Sequence, residues 1–312
     1  MLTAQSGLSK PAVPHTEQRP HEAIFREFRV DSRLRNEPPH LTPEPPFSMI
    51  EPKEPMHPLF VANVLCLSAL SLSAQWLSYR TPGVPRTADG TVDLAASAPK
   101  AMDGKPDLSG VWESAPQYFY NLANDLKSDE VVMQPWAKAV QAEREGKLHQ
   151  DDPLSQCMPP GVPRIDMSTP DAPHPFKIVQ TPALIVLLYE TSTNSTFRQV
   201  FIDGRVLPTD PQPTWLGYSV GHWEDSTLVV DTSGFNGLSW TDTTKGHPQT
   251  EAAHITERFT RRDFGHLEIE IIIDDPKAYA RPWRAKVPVR MLPDTDLIET
   301  YCENEKDQQH KR

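Results

Sequence analysis

Three ionisable side chains alternate in one stretch of the chain, and their types and spacing could support acid–base chemistry. His266, Glu268 and Glu270 lie two residues apart, so in a β-strand all three project from one face. A tight turn at Asp263–Gly265 would fold the preceding run back and place Arg258 opposite Glu270. If this face lines a cavity, a histidine beside a carboxylate could transfer a proton or bind a polar ligand or a divalent cation. If it faces solvent, Arg258 and Glu270 form a cross-strand ion pair worth under about 1 kcal/mol.

The register of this predicted hairpin sorts its side chains into two faces. On the polar face, His254 lies opposite Asp274 and Thr260 opposite Glu268. The other face pairs Phe259 with Ile269 and Ile255 with Ile273. One register that separates polar from apolar side chains predicts a sheet with one buried side.

His222 is a further candidate for proton transfer, because it precedes Trp223 in a predicted strand. The two side chains point to opposite faces, so one of them must be inward. Hydrophobicity favours Trp223 as the core residue. In a ligand-holding barrel, His222 would instead face the lumen beside Tyr218 or Asp231. The candidates for catalysis are His222, His254, His266 and Glu268, and Arg258 and Glu270 are candidates for ligand binding.

Other candidate ligand-binding residues lie at strand ends and on rigid loops. His174 stands between prolines, which would hold its imidazole in place or simply form a structural edge. Tyr189, Glu190 and Arg198 lie on facing strands, where Glu190 and Arg198 could also form a plain salt bridge. Trp215 follows a proline-rich loop, which suits either a cavity rim or ordinary packing.

The elements that would position these residues are mainly β. Hairpin-spaced strands without intervening helices predict an antiparallel up-and-down barrel or a sandwich. One helix is predicted near 135–148, where Pro135 suits the first helical position. A first strand is expected at Gly110–Trp112, followed by strands at Lys177–Gln180, Leu184–Glu190, Thr196–Ile202, Tyr218–Trp223, Thr227–Thr232, the two arms of the 254–274 hairpin, Trp283–Met291 and Asp296–Cys302.

The amino-terminal third divides into segments of different composition. Residues 1–55 are proline-rich and poor in large apolar residues, which predicts disorder.

Residues 56–75 contain an uncharged run of 14 residues, Leu59–Leu72, which is too short to span a bilayer and has the length of a signal-peptide core. We therefore expect translation to start at Met49 or Met56 and cleavage near Ala74 or Gln75. The alternative is an apolar stretch within a disordered tail. Residues 76–107 read as an extended leader and residues 108–305 as a single β domain.

Cysteine usage agrees with export. Cys66 falls within the predicted signal, which leaves Cys157 and Cys302 as an even pair. A disulfide between them would close a loop of about 145 residues and contribute roughly 5 kcal/mol in the chain-entropy model. Two free buried thiols are the alternative.

Charge and missing motifs exclude several classes of function. The net charge is −11 and no Lys/Arg cluster occurs, which argues against nucleic acid and anionic membrane surfaces as partners. The sequence contains no HExxH zinc pattern, G-x-S-x-G elbow, glycine-rich phosphate loop, CxxC or CxxCH. No cofactor or metal is predicted, and no integral membrane segment is expected in the mature chain.

Several long phrases together resemble a family of exported bacterial proteins of unknown function. They occur in the same order at Asp107–Trp112, Gly221–Thr232, His266–Glu270, Asp274–Trp283 and Glu299–Lys306. The resemblance covers roughly residues 76–308, and it implies a start at a signal peptide but no catalytic residue. Gly110–Trp112 on a first strand also resembles the opening of lipocalin-type barrels, which hold one small ligand.

Three functions remain open from the sequence. The first is an exported small-molecule-binding barrel. The second is a secreted lyase, isomerase or hydrolase that uses a His/carboxylate pair in the barrel cavity. The third is an envelope-associated structural module without a pocket. The first two require the polar faces to enclose a space.

Overall fold

The computed structural model describes residues 79–167, 174–191 and 196–302, and it is mainly β. Within these residues nine strands form one closed barrel. The strands are β1 (Gly110–Ser114), β2 (Phe176–Gln180), β3 (Leu184–Tyr189), β4 (Thr196–Phe201), β5 (Tyr218–Glu224), β6 (Thr227–Ser233), β7 (His254–Arg261), β8 (His266–Asp274) and β9 (Trp283–Met291). The helices are α1 (Gln117–Tyr120) and α2 (Pro135–Gly146), with short 3-10 helices at Pro153–Gln156 and Arg164–Asp166. The predicted fold class is confirmed as a barrel, and the predicted helix is α2.

The barrel closes where β1 pairs with β9, with Trp112 opposite Met291. Neighbouring strands are antiparallel except β4 and β5, which are parallel. This departure from an up-and-down order arises because residues 202–217 return the chain to the end of the barrel where β4 began. Pro208, Pro211 and Pro213 lie in that segment and cannot donate to a ladder, so it does not form an antiparallel strand of its own.

The predicted strand Asp296–Cys302 is wrong. Both edges of β9 are already occupied, one by β8 and the other by β1, so no edge remains for a further strand. The chain instead turns at Asp294, whose φ is 60°, and whose carboxylate accepts hydrogen bonds from Arg86 and from the Thr81 amide.

The predicted register of the β7–β8 hairpin is confirmed. Arg258 lies opposite Glu270 and Phe259 opposite Ile269, as the alternation required. All apolar residues of this hairpin except Ile272 belong to one core cluster inside the barrel. The inward face is therefore the one that the sequence marked as apolar.

Arg261 closes one end of the barrel. Its guanidinium lies 5.0 Å from the ring of Trp112 and 5.2 Å from that of Phe264. It also donates hydrogen bonds to the carbonyl oxygens of Asp107, Asp263 and Phe264. Burial lowers the pKa of Arg261 to about 10, and the surrounding carbonyls hold the cation in place of water.

The other end of the barrel is covered by residues 115–167, 234–253 and 275–282, here termed the cap. Inside the cap, Arg164 forms a buried bidentate pair with Asp152 at 2.9 and 2.6 Å. His247 Nδ1 lies 2.5 Å from Asp242, which also accepts a hydrogen bond from the Leu122 amide. The contact between Leu122 and Asp242 joins two cap segments that are distant in sequence. In the described part of the chain, no helix is both long and apolar enough to cross a bilayer. The predictions for residues 1–78 lie outside the described residues.

Candidate functional site

The polar face of the β7–β8 hairpin lies on the outside of the barrel. His266 has half of its side chain exposed, and its Nδ1 contacts Asp263 at 2.7 Å. Of the two alternatives for this face, the structure therefore shows the one that faces solvent, with Arg258 3.8 Å from Glu270. Alternation leaves one face inward, and the aliphatic and aromatic residues of the hairpin occupy it. The outer residues form surface ion pairs: Arg258 with Glu224 and Glu270, and Arg262 with Glu268.

His222 and His254 also point outward. Trp223 packs against the core, which agrees with the assignment by hydrophobicity, while His222 Nε2 lies 3.3 Å from Glu224. His254 Nε2 lies 3.5 Å from Asp231 on the same outer surface. The four candidates for catalysis are thus spread over the exterior, and the enclosed space that a catalytic role required is not formed around them.

Tyr189 and Arg198, by contrast, meet inside the barrel. The Tyr189 hydroxyl donates to Asp166 at 2.7 Å. Arg198 Nη2 donates to Glu257, and Arg198 Nη1 lies 3.6 Å from Asp166 Oδ2. All four side chains are buried. The ion pair expected between Glu190 and Arg198 is absent from the described residues, because Arg198 turns inward to Glu257 and Glu190 binds the amide of Ile298.

Two hydroxyl groups complete the surroundings of Arg198. Its Nε donates to Ser219 at 3.0 Å and its Nη2 to Thr232 at 2.8 Å. Arg198 Nη1 makes no hydrogen bond with any residue that the structure describes. One donor of a buried cation is therefore left for water or a ligand.

Asp166 and Glu257 are two buried carboxyl groups beside one cation, Arg198. Burial raises the pKa of Asp166 well above its usual value, and the negative charge of Glu257 raises it further, while Arg198 opposes the change. Asp166 therefore favours its protonated, neutral form. The cluster of Asp166, Tyr189, Arg198 and Glu257, here termed the interior cluster, is consequently close to neutral.

Replacing Asp166 with asparagine is expected to abolish a loss of stability with rising pH. Unfolded Asp166 ionises near its usual pKa, whereas folded Asp166 keeps its proton to a higher pH. Between the two pKa values the folded state binds more protons, so the free energy of unfolding falls by up to about 1.4 kcal/mol per pH unit. Asparagine cannot ionise, yet its side-chain oxygen can still accept the hydrogen bond from Tyr189. Urea unfolding at a series of pH values measures the difference, and an unchanged slope in Asp166→Asn would contradict the raised pKa of Asp166.

The interior cluster lies beside a split in the barrel wall, here termed the seam. Only two residue pairs join β4 to β5, Val200 with Ser219 and Phe201 with Val220. The preceding part of β4 therefore runs beside the segment before β5 without pairing to it. A groove of about 260 Å³ opens here. It is lined by Phe197, Arg198, Gln199, Phe201, Leu216, Gly217, Tyr218 and Ser219.

The walls of the seam are aromatic. Phe197 is 56 % exposed, and the rings of Phe201 and Tyr218 stack with centroids 5.4 Å apart. The Tyr218 hydroxyl accepts a hydrogen bond from Arg205, which directs it away from the core. Trp215 is half-buried in the segment that leads into β5. Two residues selected from the sequence, Arg198 and Tyr218, therefore line one opening, and a third, Tyr189, belongs to the interior cluster.

The predicted disulfide between Cys157 and Cys302 is present. It anchors the segment Leu292–Cys302, here termed the strap, across the outside of the barrel. Asp296 pairs with Lys177 at 2.6 Å, and the Ile298 amide donates to Glu190 at 2.9 Å. Two clefts of about 400 and 450 Å³ flank the strap.

His174 lies next to the first of these clefts, because it precedes Pro175, which lines it. The imidazole is half-buried, and this burial lowers its pKa. His174 therefore favours the neutral form, which suits a position at the edge of the sheet as well as one at a binding site.

Two members of the interior cluster were missed from the sequence. Glu257 occupies an inward position of β7, in phase with Ile255 and Phe259, so a carboxylate within an apolar alternation was a readable signal. Asp166 lies in a 3-10 helix after a proline-rich coil and reaches the barrel only through tertiary packing. No local pattern marks such a residue.

Comparison with known protein families and curated proteins identifies no relative of this chain. No protein-family model and no curated protein matches the chain. Membership in a family of exported bacterial proteins therefore stays a prediction. Because barrels host many unrelated functions, the function must be argued from the site itself.

Proposed function

We propose that this chain is an exported small-molecule-binding β-barrel protein whose ligand occupies the seam. The observation that carries the proposal is Arg198, which lines an open groove and whose buried Nη1 makes no hydrogen bond and lies 3.6 Å from Asp166. A buried donor without a hydrogen bond costs about 1–3 kcal/mol, so a ligand that accepts from it gains that energy.

The geometry of the seam limits the class of ligand. A volume of about 260 Å³ suits a compact molecule. Phe197 and Tyr218 favour a planar apolar body, because aromatic faces stack on one another. Arg198 is already neutralised by Glu257, so an anionic ligand would be repelled by that carboxylate. A neutral aromatic compound with a carbonyl or hydroxyl oxygen fits these conditions.

Binding of acetophenone and ethylbenzene to the full chain tests the proposal. The two molecules have nearly the same shape, but only acetophenone offers an acceptor to Arg198. We expect acetophenone to bind at least about tenfold more tightly, which corresponds to one hydrogen bond to a charged group. Titration calorimetry measures both affinities. Equal affinities would remove the role of Arg198, and no binding of either probe would favour a structural module without a pocket.

Two variants locate the binding. Phe197→Ala removes one wall of the seam and should weaken both probes. Leu238→Ala, a similarly exposed position elsewhere, should leave both affinities unchanged. Weakening by Leu238→Ala alone would place the ligand outside the seam.

Export is supported by the disulfide, since disulfides persist mainly in oxidising compartments. It predicts a mature protein that begins near Ala74 or Gln75. The intact mass of protein recovered from outside the cytoplasm measures this end, and an uncleaved chain would contradict export.

A further inference from the structure

Glu190 is a buried carboxylate that no cation neutralises within the described residues. It is 8 % exposed and accepts one hydrogen bond, from the Ile298 amide at 2.9 Å. Burial raises its pKa, and the Ile298 hydrogen bond partly offsets this by favouring the charged form. A hydrogen bond from a neutral donor stabilises a buried negative charge less than a cation does. The charge of Glu190 is therefore only partly compensated.

The cleft in which Glu190 lies has a volume of about 400 Å³ and belongs to the size range of ligand pockets. Its other charged residues are already paired. Arg290 contacts Glu113 at 2.7 Å, and Asp296 contacts Lys177 at 2.6 Å. Among the charged residues that line the cleft, Glu190 is therefore the one without an ion-pair partner in the described residues. Apart from Thr295, the remaining walls are apolar and consist of Leu94, Pro175, Met291, Leu292, Pro293 and Ile298.

We propose that this cleft is a second binding site, separate from the seam, and that it takes a small organic amine. The ammonium group would pair with Glu190, and an apolar body would pack against Leu94 and Ile298. The net charge of −11 also raises the local concentration of cations over that of anions. Charge complementarity thus selects an amine, and the apolar walls select one with a hydrocarbon body over a hydrophilic polyamine.

Benzylamine and benzyl alcohol are the probes that test this site in the full chain. They share the aromatic body, but only benzylamine carries a cation at neutral pH. We expect benzylamine to bind at least about tenfold more tightly, as a charge-assisted hydrogen bond implies. Amide resonances of Thr295 and Ile298 should shift during the titration, because both residues line the cleft. Equal affinities, or no binding of benzylamine in the millimolar range, would overturn the proposal.

Glu190→Gln provides the decisive variant. Glutamine keeps an oxygen to accept from the Ile298 amide, so the strap stays in place while the charge is lost. We expect this variant to bind benzylamine as weakly as benzyl alcohol. Glu299→Gln makes the same charge change at an exposed position on the strap and should have no effect. If both variants weaken benzylamine equally, the attraction is only the net charge of the chain, and the cleft is not the site.

Discussion

Replacing both Cys157 and Cys302 with serine should lower the free energy of unfolding by about 5 kcal/mol, the largest effect that we expect from any change in this chain. The bond joins residues 145 apart in sequence. Cross-linking so long a loop restricts the unfolded chain strongly, and the chain-entropy model gives about 5 kcal/mol for this length. A domain is stable by only about 5–15 kcal/mol, so the loss is a large part of the total.

The remaining contacts of the strap cannot replace the disulfide. The ion pairs of Asp294 with Arg86 and of Asp296 with Lys177 are at least partly solvent-exposed, and such pairs contribute about 1 kcal/mol or less each. Urea unfolding of the oxidised protein and of the double serine variant measures the difference. A reductant should destabilise the wild-type protein by a similar amount and leave the variant unchanged. Equal urea midpoints for the oxidised protein and the variant would show that the disulfide does not stabilise the fold. The unfolded chain would then be equally restricted with and without the bond.

The sequence allowed the elements of the barrel to be predicted, but not how they close. The β7–β8 register followed from local alternation, since a shift by one residue would have buried the charged face. The contact of Trp112 with Met291 that closes the barrel joins distant parts of the chain and leaves no local pattern. For the same reason, Asp296–Cys302 looked like a strand although the edge that it needed was taken by β1.

The candidate site was only partly predictable from the sequence. A charged residue indicates an interior site when it interrupts an apolar face, but not when it belongs to a regular polar face. His266 and Glu268 belong to a regular polar face, and such a face meets solvent. Glu257 and Arg198 interrupt apolar alternations, so burying them requires a partner. Arg198 was selected because of a neighbouring strand, whereas Glu257 was missed although it interrupts the apolar alternation of β7. Asp166 could not be found, because its place in the barrel depends on the packing of the cap.

Arg198→Leu is the second change with a large expected effect, a loss of about 3–5 kcal/mol in the free energy of unfolding. Arg198 is the cation that neutralises Glu257 inside the barrel, and both side chains are almost completely buried. Without it, Glu257 is a buried charge beside the acid group of Asp166, and the hydroxyls of Ser219 and Thr232 lose their donor. Urea unfolding at neutral pH measures the loss. A variant as stable as the wild-type protein would mean that water reaches the cluster through the seam and screens it.

The double variant Arg198→Leu/Glu257→Leu separates the cost of an unpaired charge from the worth of the pair. Replacing a buried ion pair with apolar residues is often neutral or stabilising, so the second substitution should restore most of the lost stability. Protonated Asp166 needs no cation and keeps the hydrogen bond from Tyr189. The folded double variant then also tests the seam, because it lacks the donor for a ligand. It should bind acetophenone no more tightly than ethylbenzene, and a retained preference for acetophenone would assign the hydrogen bond to a residue other than Arg198.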